Sequence, residues 1–243
     1  MSAWTDLRAV LVDAITNTPR SLQVALGPSE IGNGCDRCLA LMLAGAEQTE
    51  GPAPWLPTIG TAVHEWIESA VLRHLADTGS SRYLPEVTVT VGQLRGVNIT
   101  GHCDLYDIHA GEVTDFKIVG ATTLKKVKGG NPGDTYRRQI MLYAKGLIDH
   151  GFDVRTVTIA FLPRNAISLD AGHIHTEPYD EQVAVAALER ANAIAGGVDA
   201  LGLDAVLAAF PPHTGTEFSC TKWATDSSTA TAAEVTPDAF LGV

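Results

Sequence analysis

Apolar and polar residues alternate strictly in PEVTVTV, residues 85–91, a spacing that predicts a strand with Val87, Val89 and Val91 turned inward. GHCDLYDIHAGEVTDFKIVG follows the same two-residue rhythm and reads as a hairpin turning at His109-Ala110-Gly111-Glu112. RTVTIAFLP predicts a further strand, and HIHTEPY another. Helical spacing governs the remainder. DLRAVLVDAI places Leu7, Leu11 and Ile15 four apart, and SEIGNGCDRCLALMLAG is a turn entering a short helix. GPAPWLP reads as a loop, and the helix TAVHEWIESAVLRHLADTG carries the stripe Val63, Ile67, Ala70, Val71 and Leu75 before Gly79 ends it. After the hairpin, GGNPGD reads as a loop in which Asp134 caps the helix TYRRQIMLYAKGLIDHG. A final helix is DEQVAVAALERANAIAGG.

This order of helices, three strands, a helix, one or two strands and a helix predicts an α/β (α+β) fold with a mostly antiparallel central sheet flanked by helices. No glycine-rich loop follows a strand, which argues against a doubly wound nucleotide fold. Residues 1–212 are expected to form one domain with an N-terminal helical elaboration. Residues 213–243, rich in Ser, Thr, Ala and Pro, are expected to be a loosely ordered, cysteine-containing segment. No apolar run approaches the length of a membrane span and no signal peptide opens the chain, so a cytoplasmic protein with no membrane partner is expected.

A formal charge of −11 argues against nonspecific coating of nucleic acid. The distribution qualifies this. Lys117, Lys125, Lys126, Lys128, Arg137 and Arg138 place six of the seventeen basic residues in one stretch. That stretch is either a solvated basic loop or a track for phosphates.

The polar positions of the hairpin carry the chemistry. If the turn centres on Ala110-Gly111, Asp104 faces Lys117 and Tyr106 faces Asp115, all on one side of the sheet. Asp104 and Asp115 are then diagonal neighbours, roughly 7–8 Å apart. Carboxylates this close on a half-buried sheet either raise a pKa or hold a cation. Mg2+ or Mn2+ with one or two carboxylates activates water and stabilises charge on a phosphate, and a neighbouring lysine stabilises developing negative charge. A structural ion pair is the alternative for Asp-x-Lys alone.

Four motifs in order, the histidine of GTAVHEW, the aspartate of GHCDLY, the pair in VTDFK and Gln-x-x-x-Tyr in RRQIMLYAKGL, span residues 60 to 147. Together they resemble the PD-(D/E)xK nuclease superfamily, and most closely its RecB-like exonuclease branch, which includes the CRISPR-associated "Cas four" proteins. The resemblance implies a restriction-endonuclease-like fold and a metal-dependent DNA exonuclease hydrolysing phosphodiester bonds. His64, Asp104 and Asp115 would be metal ligands with the Phe116 carbonyl, and Lys117 would act on the attacking water. Gln139 and Tyr143, i and i+4 on one helix face, would support the site. An imidazole beside two carboxylates tilts the choice from Mg2+ toward Mn2+. Glu86 is an outer acidic ligand or a solvated strand end. Lys125, Lys126, Lys128, Arg137 and Arg138 would guide the DNA.

The same resemblance implies an iron–sulfur cluster on one early and three late cysteines. This chain departs from that pattern, with Cys35 and Cys38 early and Cys220 late. Cys103, next to Asp104, points to the opposite face and reads as a buried small residue. Three thiolates with His213 suit Zn2+, leaving iron–sulfur, zinc or an empty site open. The settings implied are recombination, repair, bacteriophage DNA metabolism or CRISPR-type adaptation, with any helicase a separate partner. The alternative is a nuclease-fold protein that holds DNA ends for a partner complex and cuts little. A restriction-type endonuclease ranks last, since no recognition domain is evident.

Overall fold

Alternating apolar residues build five strands that join in chain order into one sheet: β1 (Tyr83–Leu94), β2 (Val97–Asp107), β3 (Glu112–Val119), β4 (Thr156–Pro163) and β5 (His173–Pro178). This computed structural model describes residues 3–17, 26–49, 53–212, 220 and 223. All neighbouring strands pair antiparallel except β3 and β4, which are parallel. A parallel step requires a crossover. Helices α5 (Ala121–Lys128) and α6 (Asp134–Asp149), which follow β3 in turn, supply it. The mixed, mostly antiparallel sheet flanked by helices is the expected fold class, consistent with a restriction-endonuclease-like arrangement.

Phe116 turns toward α4 (Trp55–Thr78), where its ring meets His64 edge-on. Its neighbours Asp115 and Lys117 turn toward α6, so the two helices cover opposite faces of β3. On the α6 face Ile140, Met141, Leu142, Ala144 and Leu147 are fully buried against Val89, Val91 and Val113. The described chain opens with α1 (Ala3–Thr16), and helices α2 (Pro28–Gly32), α3 (Asp36–Leu43), α7 (Glu181–Leu201) and α8 (Leu203–Ala209) pack around α6 and its neighbours. The expected stripe of α4 does face the protein, yet no residue of this helix is fully buried. It lies as an outer layer with an apolar groove of about 420 Å³ between it and the sheet, lined by Val63, Trp66, Ile67, Phe116, Ile118 and Leu162.

Four local expectations are corrected. The loop GPAPWLP is helical from Trp55, with Pro57 in the first turn where its missing N–H has no partner to lose. Residues 121–128, read as part of a basic loop, form α5, flanked by Gly120 and Gly129. Gly133, not Asp134, is the N-cap of α6. The hairpin pairs Tyr106 with Val113 and Asp107 with Glu112, two residues away from the expected register. Its turn is one residue earlier, Ile108 to Gly111, because Asp107 Oδ1 accepts the N–H groups of His109 and Ala110, both at 3.0 Å. Gly111 closes the turn at φ 61°, a conformation glycine adopts without strain. A shift of two keeps every side chain on its predicted face.

Asp107 is also held by Arg82 at 2.6 and 2.8 Å. The Arg82 hydrogen bond, outweighing burial, holds its carboxyl below the ordinary value. Its stabilisation is therefore present above the unfolded pKa of about 3.9 and is lost as pH falls through the lower folded value. Asp107→Ala is expected to lower stability by about 2 kcal/mol in urea denaturation and to flatten the acid limb of the stability curve.

A candidate metal centre in the fork between two strands

Strands β2 and β3 pair through only three residue pairs, ending at Leu105 and Thr114. Beyond that point β2 continues with β1 and β3 continues with β4, so the sheet opens into a fork. Asp104 stands at its base. The Phe116 N–H, which a longer ladder would satisfy with a carbonyl, instead donates to Asp104 Oδ2 at 2.7 Å. Asp104 Oδ1 lies 3.3 Å from His64 Nδ1, so the imidazole reaches the fork from α4.

Glu86 completes a compact trio. Pro85 pairs with Leu105 and Val87 with Cys103, which places Glu86 opposite Asp104. Its backbone takes φ 50°, a region non-glycine residues seldom occupy and one that clusters at functional sites. Donor atoms of His64, Glu86 and Asp104 all lie within 4.8 Å of one another. Of the two readings of Glu86, the geometry therefore matches a ligand better than a solvated strand end. The signal was available: the β1–β2 register alone puts Glu86 across from Asp104.

Asp115 forms a second cluster beside the first. It is 1% exposed, and Lys117 Nζ donates to its Oδ1 at 3.1 Å. The same Nζ is 2.8 Å from Oδ2, but off the hydrogen-bonding direction, so Oδ2 is buried without a hydrogen-bond partner among the described residues. Lys117 also donates to Gln139 Oε1 at 2.9 Å, and Gln139 Nε2 to the Tyr143 hydroxyl at 3.3 Å. Its ammonium further sits 5.4 Å from the centre of the Tyr136 ring. Thus half-buried Lys117 with buried Gln139 and Tyr143 forms one polar chain ending on Asp115.

Electrostatics link the clusters. Burial pushes the Asp115 carboxyl up to about 6; Lys117 offsets part of this and the charge of Asp104 adds to it. For His64, burial pulls the pKa down, but the hydrogen bond to Asp104 and the charges of Asp104 and Asp115 raise it above its ordinary value. A divalent cation fits this set chemically: carboxylate oxygens and one imidazole suit Mn2+ or Mg2+, and Asp115 Oδ2 accepts no hydrogen bond among the described residues. The expected ligand set is altered in two respects. Asp115 stands beside the compact trio rather than within it, and Glu86 joins the trio.

The basic stretch divides. Lys125 and Lys126 are exposed on α5, whereas Lys128 donates to the Ala171 carbonyl at 2.7 Å. Arg137 is held by Glu177 at 2.8 Å and Asp180 at 3.4 Å, and Arg138 lies 3.4 Å from Asp134. The two arginines are therefore engaged in the protein's own ion pairs. Cys103 is fully buried, as expected, with burial pushing its thiol up. Cys35, Cys38 and Cys220 come together in a group that could bind a metal, while His213 lies outside the described residues.

No protein-family model and no curated protein matches this sequence. Solved structures similar to it include an alkaline exonuclease, LHK-Exo, from Laribacter hongkongensis, at TM-score 0.48 and 12% identity over 77% of this chain and 93% of that one. LHK-Exo in complex with dAMP aligns at TM-score 0.47 and 13% identity, over 77% and 93%. SSO0001 aligns at 0.46 and 14%, over 76% and 85%. Among the described residues no helix is long and apolar enough to cross a membrane.

A carboxyl raised by folding makes the folded state the better proton binder. Without metal, Asp115 should therefore withdraw stability as pH rises from about 4 to about 6. Relative to Asp115→Asn, the metal-free protein is expected to lose melting temperature across that window and to regain it with Mn2+ above pH 6, as read by thermal unfolding.

Proposed function

We propose that this chain is a divalent-metal-dependent nuclease of the PD-(D/E)xK superfamily, RecB-like branch, acting as an exonuclease on the phosphodiester bonds of DNA. The observation carrying this reading is buried Asp115, paired with Lys117, beside His64, Glu86 and Asp104 in one fork. His64, Glu86, Asp104 and Asp115 would hold the cation. When bound, it lowers the pKa of water and neutralises charge on the scissile phosphate.

The protein's own groups do the rest. Lys117, fixed between Asp115 and Gln139, presents its ammonium where the attacking water and the developing phosphate charge would lie. Tyr143 orients Gln139, which keeps Lys117 from swinging away. Asp104, anchored by the Phe116 N–H, keeps β2 and β3 at a fixed separation at the fork's base. Exposed Lys125 and Lys126 supply charge for the phosphate backbone outside the fork, and Trp66, 61% exposed in the groove beside Phe116, offers a face for a nucleobase.

Labelled single- and double-stranded DNA incubated with Mn2+ tests the reading. Linear DNA is expected to be degraded, and Asp115→Ala to lower the rate by about 100- to 1,000-fold. Retention of DNA with no cutting by either protein would favour the end-holding alternative. Cutting of covalently closed circles would replace the exonuclease by an endonuclease. In a second experiment, replacing Lys125 and Lys126 together with alanine is expected to lower the slope of log affinity against log salt by about 2. Arg137→Ala should leave that slope unchanged and lower stability instead.

A further inference from the structure

Away from the fork, three sulfurs from opposite ends of the chain converge. Cys220 Sγ lies 3.7 Å from Cys35 Sγ and 3.6 Å from Cys38 Sγ, and all three sulfurs are within 4.8 Å of one another. None is in a disulfide. A disulfide would bring one pair to about 2.05 Å and leave the third out. Here Cys220 is equally close to both partners, the arrangement of donors around a shared centre.

The local backbone is shaped for this. Asn33 Oδ1 accepts the Cys35 N–H at 2.9 Å, and Cys35, at the N-cap of α3, accepts the Cys38 N–H on its sulfur at 3.3 Å. Cys220 arrives with Trp223, which is 4% exposed and pairs with Gln48 just beyond α3.

Geometry also separates two kinds of metal centre. Thiolates on one tetrahedral ion sit about 2.3 Å from it, which places the sulfurs roughly 3.8 Å apart. The spacings of 3.6 and 3.7 Å meet that value. In an iron–sulfur cluster no iron carries more than two cysteine thiolates, and the inorganic core stands between those on different irons and spreads them. Three sulfurs all within 4.8 Å of one another leave no room for that core, and Cys103, fully buried at the sheet with its sulfur directed to the Leu105 carbonyl, is not a fourth ligand. The cluster implied by the family resemblance therefore does not fit.

The geometry points to a mononuclear zinc site on Cys35, Cys38 and Cys220 that fastens the C-terminal segment to the N-terminal helices. Soft thiolates select Zn2+ here, whereas the fork's carboxylates select a harder ion, so the two centres load independently.

The test is metal and inorganic-sulfide analysis of the full chain purified without added metal. About one zinc per chain and no sulfide are expected, with zinc lost from Cys38→Ser and Cys220→Ser but kept in Asp115→Ala. Because a cysteine variant can fail to fold, the wild-type chain is also stripped and titrated with Co2+. One equivalent should give the intense sulfur-to-cobalt charge-transfer absorption and tetrahedral visible bands of a thiolate site. Iron with stoichiometric sulfide, zinc retained in folded Cys38→Ser, or a cobalt spectrum without charge transfer would overturn the assignment. Retention of zinc in Asp115→Ala separates this result from the fate of the nuclease reading.

Discussion

A buried carboxylate with one oxygen left unsatisfied, next to a second carboxylate, is the constraint around which this molecule is organised. Desolvation of Asp115 disfavours its charge, and Asp104 disfavours it further; Lys117 alone relieves this incompletely. Such an arrangement persists only where surrounding packing enforces it. Here the enforcement comes from α6, whose apolar residues lock the helix onto the sheet while Gln139 and Tyr143 tie Lys117 down.

The fork itself follows from topology. Because β3 pairs parallel with β4 and antiparallel with β2, it serves two partners with different demands, and its ladder to β2 stops after three pairs. An amide exposed by that early stop must find an acceptor. Asp104 provides one from its side chain, which converts a broken ladder into a rigid mount for a carboxylate. His64 and Glu86 meet Asp104 there because α4 covers the other face and because β1 takes an unusual backbone angle at Glu86.

Much of this was legible in the sequence. Strand periodicity located β1 to β5, and the two-residue error in hairpin register changed no side chain's face. Alternation placed Asp115 and Lys117 together and Cys103 apart. Three features escaped for physical reasons. Short α5 has few apolar residues to declare a helix, so its lysines read as a loop. The engagement of Arg137 by Glu177 and Asp180 joins α6 to β5 and the start of α7, a pairing across distant segments that local spacing does not encode. Glu86 stayed open between two readings because a strand-end glutamate is ordinarily solvated, and only cross-strand register reveals its neighbour.

Side chains of the fork are drawn from α4, β1, β2, β3 and α6, five elements that must all be docked before the set is complete. The contacts of His64 with Asp104 and of Gln139 with Lys117 are absent from a half-unfolded polypeptide in which the hairpin has closed without α4 or α6 in place. The centre is thus a late product of folding, coming into being only when both faces of the sheet are covered. A chain organised this way has its chemistry gated by its own completion: incompletely folded copies, however abundant, lack the assembled pocket.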